Sequence, residues 1–184
     1  MRSSNTKSWQ IALCGVLGAL ALAVMQLGVV IPVAMYIAPA IASAMVMVVC
    51  VECGRRMAWT QYAAVALLSL LFVADREIAF FYLFLGYYPL IKPYFEKLRP
   101  RLLQGAAKLL YFNLTILVMY LLLYSLFFPG QLAAGLAGLG LALAAGTLLI
   151  GNIAFLLLDR ALVNLLRLYR YVWQPRLHRM LGRR

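Results

Sequence analysis

Side chains able to act as acids, bases or nucleophiles are scarce in this chain, and they match no common catalytic motif. The five acidic residues are Glu52, Asp75, Glu77, Glu96 and Asp159. They form no H-E-x-x-H motif and no helical pair of carboxylates, and no serine lies in a G-x-S-x-G turn. A Walker A loop is also absent from the sequence, so the chain cannot use ATP by itself. We predict that the protein is not an enzyme, with an intramembrane enzyme as a minor alternative.

The pair Cys50 and Cys53 has the C-x-x-C spacing of many metal sites. Zinc would need two further good ligands, but the single histidine, His178, lies far along the sequence in a basic tail. Cys14 also lies in an apolar run, and three cysteines placed in this way argue against a secreted disulfide framework. The sequence therefore predicts no metal site and no cofactor.

The charged triplet Asp75-Arg76-Glu77 is the main candidate for a binding site, because aromatic residues follow it directly. These residues are Phe80, Phe81, Tyr82 and Phe84. The triplet can be a solvated turn and the rings an aromatic belt at a membrane surface. Alternatively, the triplet forms the rim of a substrate site and the rings stack on a planar heterocycle. Both interpretations are open at this point.

Polar residues inside the long apolar runs are few. The clearest are Ser43, Ser69, Asn113, Thr115, Tyr120 and Asn152. A polar group in lipid costs free energy unless it is paired. We expect Asn113 and Asn152 either to pair between two helices or to line a cavity.

The elements that carry these residues are predicted to be transmembrane helices. Hydrophobic residues make up 66% of the 184 positions, with a mean hydropathy of +0.92. A small soluble domain cannot bury so much apolar surface, and the unbroken runs lack the alternation of barrel strands. We predict an all-α bundle of six transmembrane helices, with spans at about 9–30, 34–53, 57–74, 78–91, 109–128 and 132–158.

The basic residues predict how the chain is oriented in the bilayer. The net charge is +12, but the charges lie between apolar runs and at the C-terminus, which does not favour a nucleic-acid partner. With the N-terminus inside, every lysine and arginine except Arg76 falls on the inner side, including those of a basic cytoplasmic tail at 160–184. This segregation predicts an N-in/C-in, multi-pass protein of the cell membrane.

Three regions depart from simple spans. The fourth run covers roughly 21 Å as a helix, less than the ~30 Å hydrocarbon core. We expect either a broken helix near Gly86 and Pro89, or an extension to Phe95 with Lys92 snorkelling. The sixth run is long and is expected to tilt. The segment Gly28–Pro39 contains two prolines and is not expected to be plain helix, so we predict a tight apolar turn or a lid over a cavity.

Small residues recur at every fourth position in two runs. They are Gly15, Ala19 and Ala23 in the first run, and Ala134, Gly138, Ala142 and Gly146 in the sixth. Such ladders let helix backbones approach closely. They serve either packing within the chain or docking onto a partner subunit.

On these residues the chain resembles the substrate-binding S component of energy-coupling factor (ECF) transporters. The similar stretches are the opening KSWQIALCGVLGALALAVMQLG, the apolar segment IPVAMYIAP, and DREIAFFYLFLGYYPLIKP. The resemblance implies a subunit of the bacterial plasma membrane that captures a vitamin-like small molecule from outside. It also implies two partners, a transmembrane coupling protein and a pair of cytoplasmic ATPases.

The resemblance further implies which residues act. The family's A-x-x-x-A docking motif matches Ala19 to Ala23, with Gly15 to Ala19 as a second register. The binding cavity would open outward, and the matching positions are Tyr36, Asp75, Arg76, Glu77, Phe81 and Tyr120. Members that bind cobalt or nickel carry an N-terminal histidine motif, which this sequence does not have, so a small organic nutrient is expected.

The alternative is a structural scaffold that resembles the rod-shape determining membrane proteins. Such a protein would use the same small-residue faces to bind other membrane proteins. It would need no ligand cavity.

Overall fold

The computed structural model describes residues 2–31, 34–127 and 141–174, and all regular structure in these ranges is helical. The elements are α1 (Arg2–Val30), α2 (Ala34–Cys53), α3 (Arg55–Phe72), α4 (Arg76–Leu85), α5 (Tyr88–Phe95), α6 (Arg101–Phe127) and α7 (Leu141–Leu168). A π-helical segment, Tyr169–Trp173, continues α7. The all-α prediction is confirmed for the described residues.

Four helical stretches are long and apolar enough to cross a membrane. They are Ser8–Val30, Ala34–Cys53, Leu102–Phe127 and Ala145–Val172. Large apolar side chains face outward from the bundle, for example Leu102 at 88% exposed, Leu71 at 76% and Ile150 at 70%. A protein in water does not expose apolar surface on this scale, so both features are typical of a membrane protein.

The predicted spans agree with the helices to different degrees. The second predicted span coincides with α2, whereas α1 and α6 begin at Arg2 and Arg101, before the predicted starts at 9 and 109. Helix α7 continues to Leu168, past the predicted end of the sixth span at 158, so the predicted tail begins inside a helix. Positions 128–140 and 175–184 lie outside the described residues, and so do Ala134, Gly138 and His178.

Among the described residues, three clusters of buried side chains hold the bundle together, and two of them are large. The helices α1 to α4 pack around Met25, Val46, Ile78 and Tyr82, which are all fully buried. The C-terminal helices pack mainly around aromatic rings, of which Tyr88, Phe112 and Phe155 are buried. Burial of these large side chains keeps the helix ends in fixed relative positions, which the polar sites require.

The segment Gly28–Pro39 is not one plain helix, as expected, but most of it is helical. Helix α1 runs to Val30, and α2 begins at Ala34 with Pro39 inside it. The cause is close packing, since a Cβ on Gly28 would lie 2.6 Å from the Cβ of Ala38. Proline already has a helical φ and removes a single hydrogen bond, a cost that this helix–helix contact offsets. The connection between α1 and α2 is therefore short, and positions 32–33 within it lie outside the described residues.

The fourth predicted span is broken, as one of the two expectations held. Helix α4 ends at Leu85, and α5 begins at Tyr88. A Cβ on Gly86 would come within 2.9 Å of the Tyr82 ring, so a glycine is needed here. Pro89 in the first turn of α5 has no N–H to leave unpaired. Helix α5 then extends to Phe95, but Lys92 does not snorkel, because it is buried and paired inside the bundle.

The small-residue ladder of α1 faces away from the rest of the described chain. Gly15, Ala19 and Ala23 are all exposed, and a Cβ on Gly15 would meet no atom within 4 Å. The face that packs inside the chain includes Gly18 and Met25 instead. Packing within the described chain therefore does not explain this ladder. In the sixth run, a Cβ on Gly146 likewise meets nothing within 4 Å.

Candidate functional site

The turn between α3 and α4 is built by its own charged side chains. Asp75 is the N-cap of α4, and its Oδ1 accepts a hydrogen bond of 2.8 Å from the backbone N–H of Glu77. Arg76 donates to the carbonyl oxygen of Leu70 in the last turns of α3, and its guanidinium lies 5.5 Å from the centre of the Phe127 ring. These contacts satisfy helix ends that would otherwise lack partners, and they place Glu77 in the first turn of α4.

Glu77 joins three helices through its carboxylate. The hydroxyl of Tyr120 in α6 donates to Glu77 Oε1 at 2.6 Å, and the hydroxyl of Tyr36 in α2 donates to the same oxygen at 3.5 Å. The Tyr36 ring packs edge-on against Phe81, with ring centres 5.5 Å apart. Three positions far apart in the sequence thus meet at one carboxylate.

A half-open cavity of about 540 Å³ lies beside this carboxylate. It is lined by Val29, Ala74, Asp75, Arg76, Glu77, Tyr120, Leu123 and Tyr124. Its volume lies within the usual range of about 300–1,000 Å³ for small-molecule pockets. The mixture of a few polar groups with apolar and aromatic walls is also typical of such sites. We call this cavity the Glu77 pocket.

The structure brings the six predicted binding residues to one end of the bundle. Asp75, Arg76, Glu77 and Tyr120 line the Glu77 pocket, while Tyr36 and Phe81 adjoin it through the contacts described above. Sequence reasoning missed four lining residues, Val29, Ala74, Leu123 and Tyr124. Tyr124 lies one helical turn after Tyr120, so helical spacing was a signal that could have found it.

A second polar cluster lies inside the bundle, and it was not predicted from the sequence. Asp159 in α7 accepts hydrogen bonds from the Tyr88 hydroxyl at 2.6 Å, from Lys92 Nζ at 2.5 Å and from Lys108 Nζ at 2.7 Å. Lys92 also donates to the backbone oxygen of Asp159 at 2.6 Å. Both lysines are more than nine-tenths buried. We call Tyr88, Lys92, Lys108 and Asp159 the Asp159 cluster.

The Asp159 cluster and the Glu77 pocket lie at different levels of the bundle. Lys108 and Tyr120 are both on α6, where a rise of 1.5 Å per residue separates them by about 18 Å along the helix. Each charged residue of the cluster lies directly next to the end of a predicted span. These residues are Lys92, Lys108 and Asp159. A lysine at a span end is usually solvated, which is why sequence reasoning placed both lysines in an inner loop.

The two asparagines in the apolar runs pair with each other, as one expectation held. Asn113 Nδ2 donates to Asn152 Oδ1 at 3.0 Å, and Asn152 Nδ2 donates to Asn113 Oδ1 at 3.1 Å. Each amide also donates to a carbonyl one turn earlier in its own helix. The pair satisfies these groups across α6 and α7, and neither residue lines the Glu77 pocket.

Within the described ranges, no three His, Cys, Asp or Glu side chains come together in a way that could hold a metal ion. Comparisons of the chain with protein-family models, with curated proteins and with solved structures give no match. The proposed function therefore rests on the Glu77 pocket, its side chains and the exposed face of α1.

Proposed function

We propose that the chain is the membrane-embedded substrate-capture subunit of an ECF-type ABC importer for a vitamin-like small organic nutrient. The observation that supports it is the Glu77 pocket, in which Asp75, Arg76, Glu77 and Tyr120 line one cavity. Three of these residues form one turn, and Tyr120 reaches the same cavity from α6. The resemblance implies a cavity at this position.

The proposed topology has six spans, with both ends in the cytoplasm of a bacterium and the Glu77 pocket facing outward. The charges support it, because Lys92, Lys108 and Asp159 meet at one level and the pocket lies about 18 Å away along α6. The inner level also holds Arg55, whose guanidinium donates to the Leu90 carbonyl at 3.1 Å. Basic residues near the inner leaflet are what the positive-inside rule expects.

The proposed partner surface is the exposed ladder Gly15, Ala19 and Ala23 on α1. Small residues on a lipid-facing helix let a second helix approach closely and gain dispersion contacts. A transmembrane coupling protein would dock on this ladder, and its pair of cytoplasmic ATPases would supply the ATP hydrolysis that this chain has no motif for. The ladder is separate from the Glu77 pocket, so binding and docking can be tested independently.

Native mass spectrometry of the gently purified chain, combined with a thermal-shift screen of vitamins and related metabolites, tests the ligand. We expect one small molecule to bind with one-to-one stoichiometry and to raise the melting temperature. If no compound binds and no ATPase module co-purifies, the proposal fails and a scaffold that resembles the rod-shape determining proteins is favoured. Such a scaffold would use the exposed α1 ladder without a ligand.

Docking is tested with Ala19→Leu, since a bulky side chain would keep a partner helix away. We expect this variant to bind the ligand normally but to lose co-purification with the coupling protein. Ala63→Leu is the matched control, because Ala63 is exposed on α3 and is not part of the ladder. Equal co-purification of both variants would exclude the ladder as the docking surface.

A further inference from the structure

Among the described residues, the carboxylates at the Glu77 pocket have no cationic partner, although the chain is strongly basic. Within the described residues, neither Asp75 nor Glu77 forms an ion pair. Asp159 is the contrast inside the same molecule, because two ammonium groups lie within 2.7 Å of its oxygens. The pocket therefore keeps negative charge that the protein's own lysines and arginines do not neutralise.

The one cation of the pocket wall is already engaged elsewhere. Arg76 donates to the Leu70 carbonyl and places its guanidinium over the Phe127 ring. Neither contact is made to Asp75 or to Glu77. The two carboxylates outnumber this single guanidinium, so the formal charge of the lining is negative.

The carboxylate of Glu77 has acceptor capacity left for a ligand. Both tyrosine hydroxyls, from Tyr36 and Tyr120, donate to Oε1. In the part of the chain that the structure describes, Oε2 receives no hydrogen bond, and an ionised carboxylate can accept several. A ligand N–H group or cationic centre would complete this set.

Aromatic faces complete the environment. Tyr120 and Tyr124 both line the pocket, and their ring centres are 6.3 Å apart. The face of an aromatic ring attracts a cation within about 6 Å of the ring centre. A carboxylate beside aromatic walls discriminates against anions by repulsion and favours cations twice, through the charge and through the rings.

We propose that the Glu77 pocket is selective for an organic cation, a small molecule with a protonated or quaternary nitrogen on or next to a ring. This inference rests on the proposed function of nutrient capture and specifies its substrate class. Glu77 supplies the counter-charge, and Tyr120 and Tyr124 form the aromatic wall. Arg76 and Asp75 shape the turn that holds Glu77 in place.

The test measures binding to the full-length chain in detergent or nanodiscs with a panel of small metabolites grouped by charge. The panel includes a matched pair of probes. One is the cation of nicotinamide methylated on its ring nitrogen, and the other is meta-methylbenzamide, an uncharged molecule of nearly the same shape. We expect binding by cationic members only. For the best cation, Glu77→Gln should weaken binding by about 10-fold or more, the effect of losing one hydrogen bond to a charged group.

Glu96→Gln is the control, because it makes the same chemical change at an exposed carboxylate of the other polar level and should not alter binding. If Glu77→Gln fails to fold, Glu77→Asp keeps the charge, and the ranking of charge classes on the unchanged chain gives the answer without any variant. Stoichiometric binding of a neutral or anionic metabolite, with affinity unaffected at Glu77, would overturn the cation proposal and leave nutrient capture standing. Binding by no class would overturn both.

Discussion

Removal of the negative charge from the Asp159 cluster should destabilise the bundle strongly. In Asp159→Asn the side chain keeps its shape, but the ammonium groups of Lys92 and Lys108 lose their shared counter-charge. The three side chains are only 8%, 10% and 13% exposed, so water cannot replace it. Loss of one partner from a buried ion pair typically costs about 3–5 kcal/mol. We expect about 3 kcal/mol, because Lys92 keeps its bond to the backbone oxygen of residue 159.

The free energy of unfolding in mixed micelles, measured by titration with a denaturing detergent, would report this change. Glu96→Gln is the control, because Glu96 lies 3.9 Å from Lys92 but is 47% exposed, and such pairs contribute about 0–1 kcal/mol. Lys108→Met added to Asp159→Asn should recover at least about 1 kcal/mol, since it removes one uncompensated charge. If Asp159→Asn costs no more than Glu96→Gln, the cluster does not act as a buried ionic contact and the reasoning is refuted.

The other predictions concern helix packing and can be measured in the same unfolding assay. Gly28→Ala should destabilise the bundle by about 1–3 kcal/mol, because the new Cβ would lie 2.6 Å from that of Ala38. The control Gly15→Ala, on the open face of α1, should cost nothing. Equal effects of the two substitutions would contradict the packing of α1 against α2. A double-mutant cycle of Asn113→Ala and Asn152→Ala should give a coupling energy of about 0.6 kcal/mol, and ~1.7 at most; additive effects would show that the amide pair is not stabilising.

The helices themselves were largely predictable. In lipid a long apolar run must satisfy its own backbone hydrogen bonds, and a helix does so. The C-terminal ends of α1, α2 and α6 were located within one residue, although α1 and α6 begin earlier than their predicted spans. The segment Gly28–Pro39 is more helical than its two prolines suggest, since Pro39 lies inside α2. Only the opposing helix shows that Gly28 permits a contact close enough to keep the Pro39 region helical, and a single sequence does not reveal which helices touch.

The candidate site was predictable in part, because its charged turn interrupts apolar sequence. Asp75-Arg76-Glu77 was visible as a charged segment between two predicted spans, and Tyr120 as a polar group in a third. The partner of Glu77 was not visible, because any of the tyrosines could have supplied the hydroxyl. The exposure of the ladder at Gly15 also needed the structure, since the same spacing suits an inner and an outer face.

The Asp159 cluster shows most clearly where sequence reasoning stops. Lys92 and Lys108 look like ordinary basic residues at the ends of spans, and the charged groups of such residues usually lie in water. Their burial depends on a single carboxylate that is contributed by a distant helix. Three-body contacts of this kind are set by how α5, α6 and α7 pack, and no local pattern encodes that arrangement.

The order of synthesis gives this cluster a further consequence. The ribosome makes Lys92 and Lys108 before Asp159, so a nascent chain carries two ammonium groups without the carboxylate that later neutralises them. Until α7 is made, we expect these groups to stay hydrated and to keep the ends of α5 and α6 near water. Burial of both ammonium groups requires the carboxylate of α7, so we expect the final packing of α5 and α6 to wait for that helix.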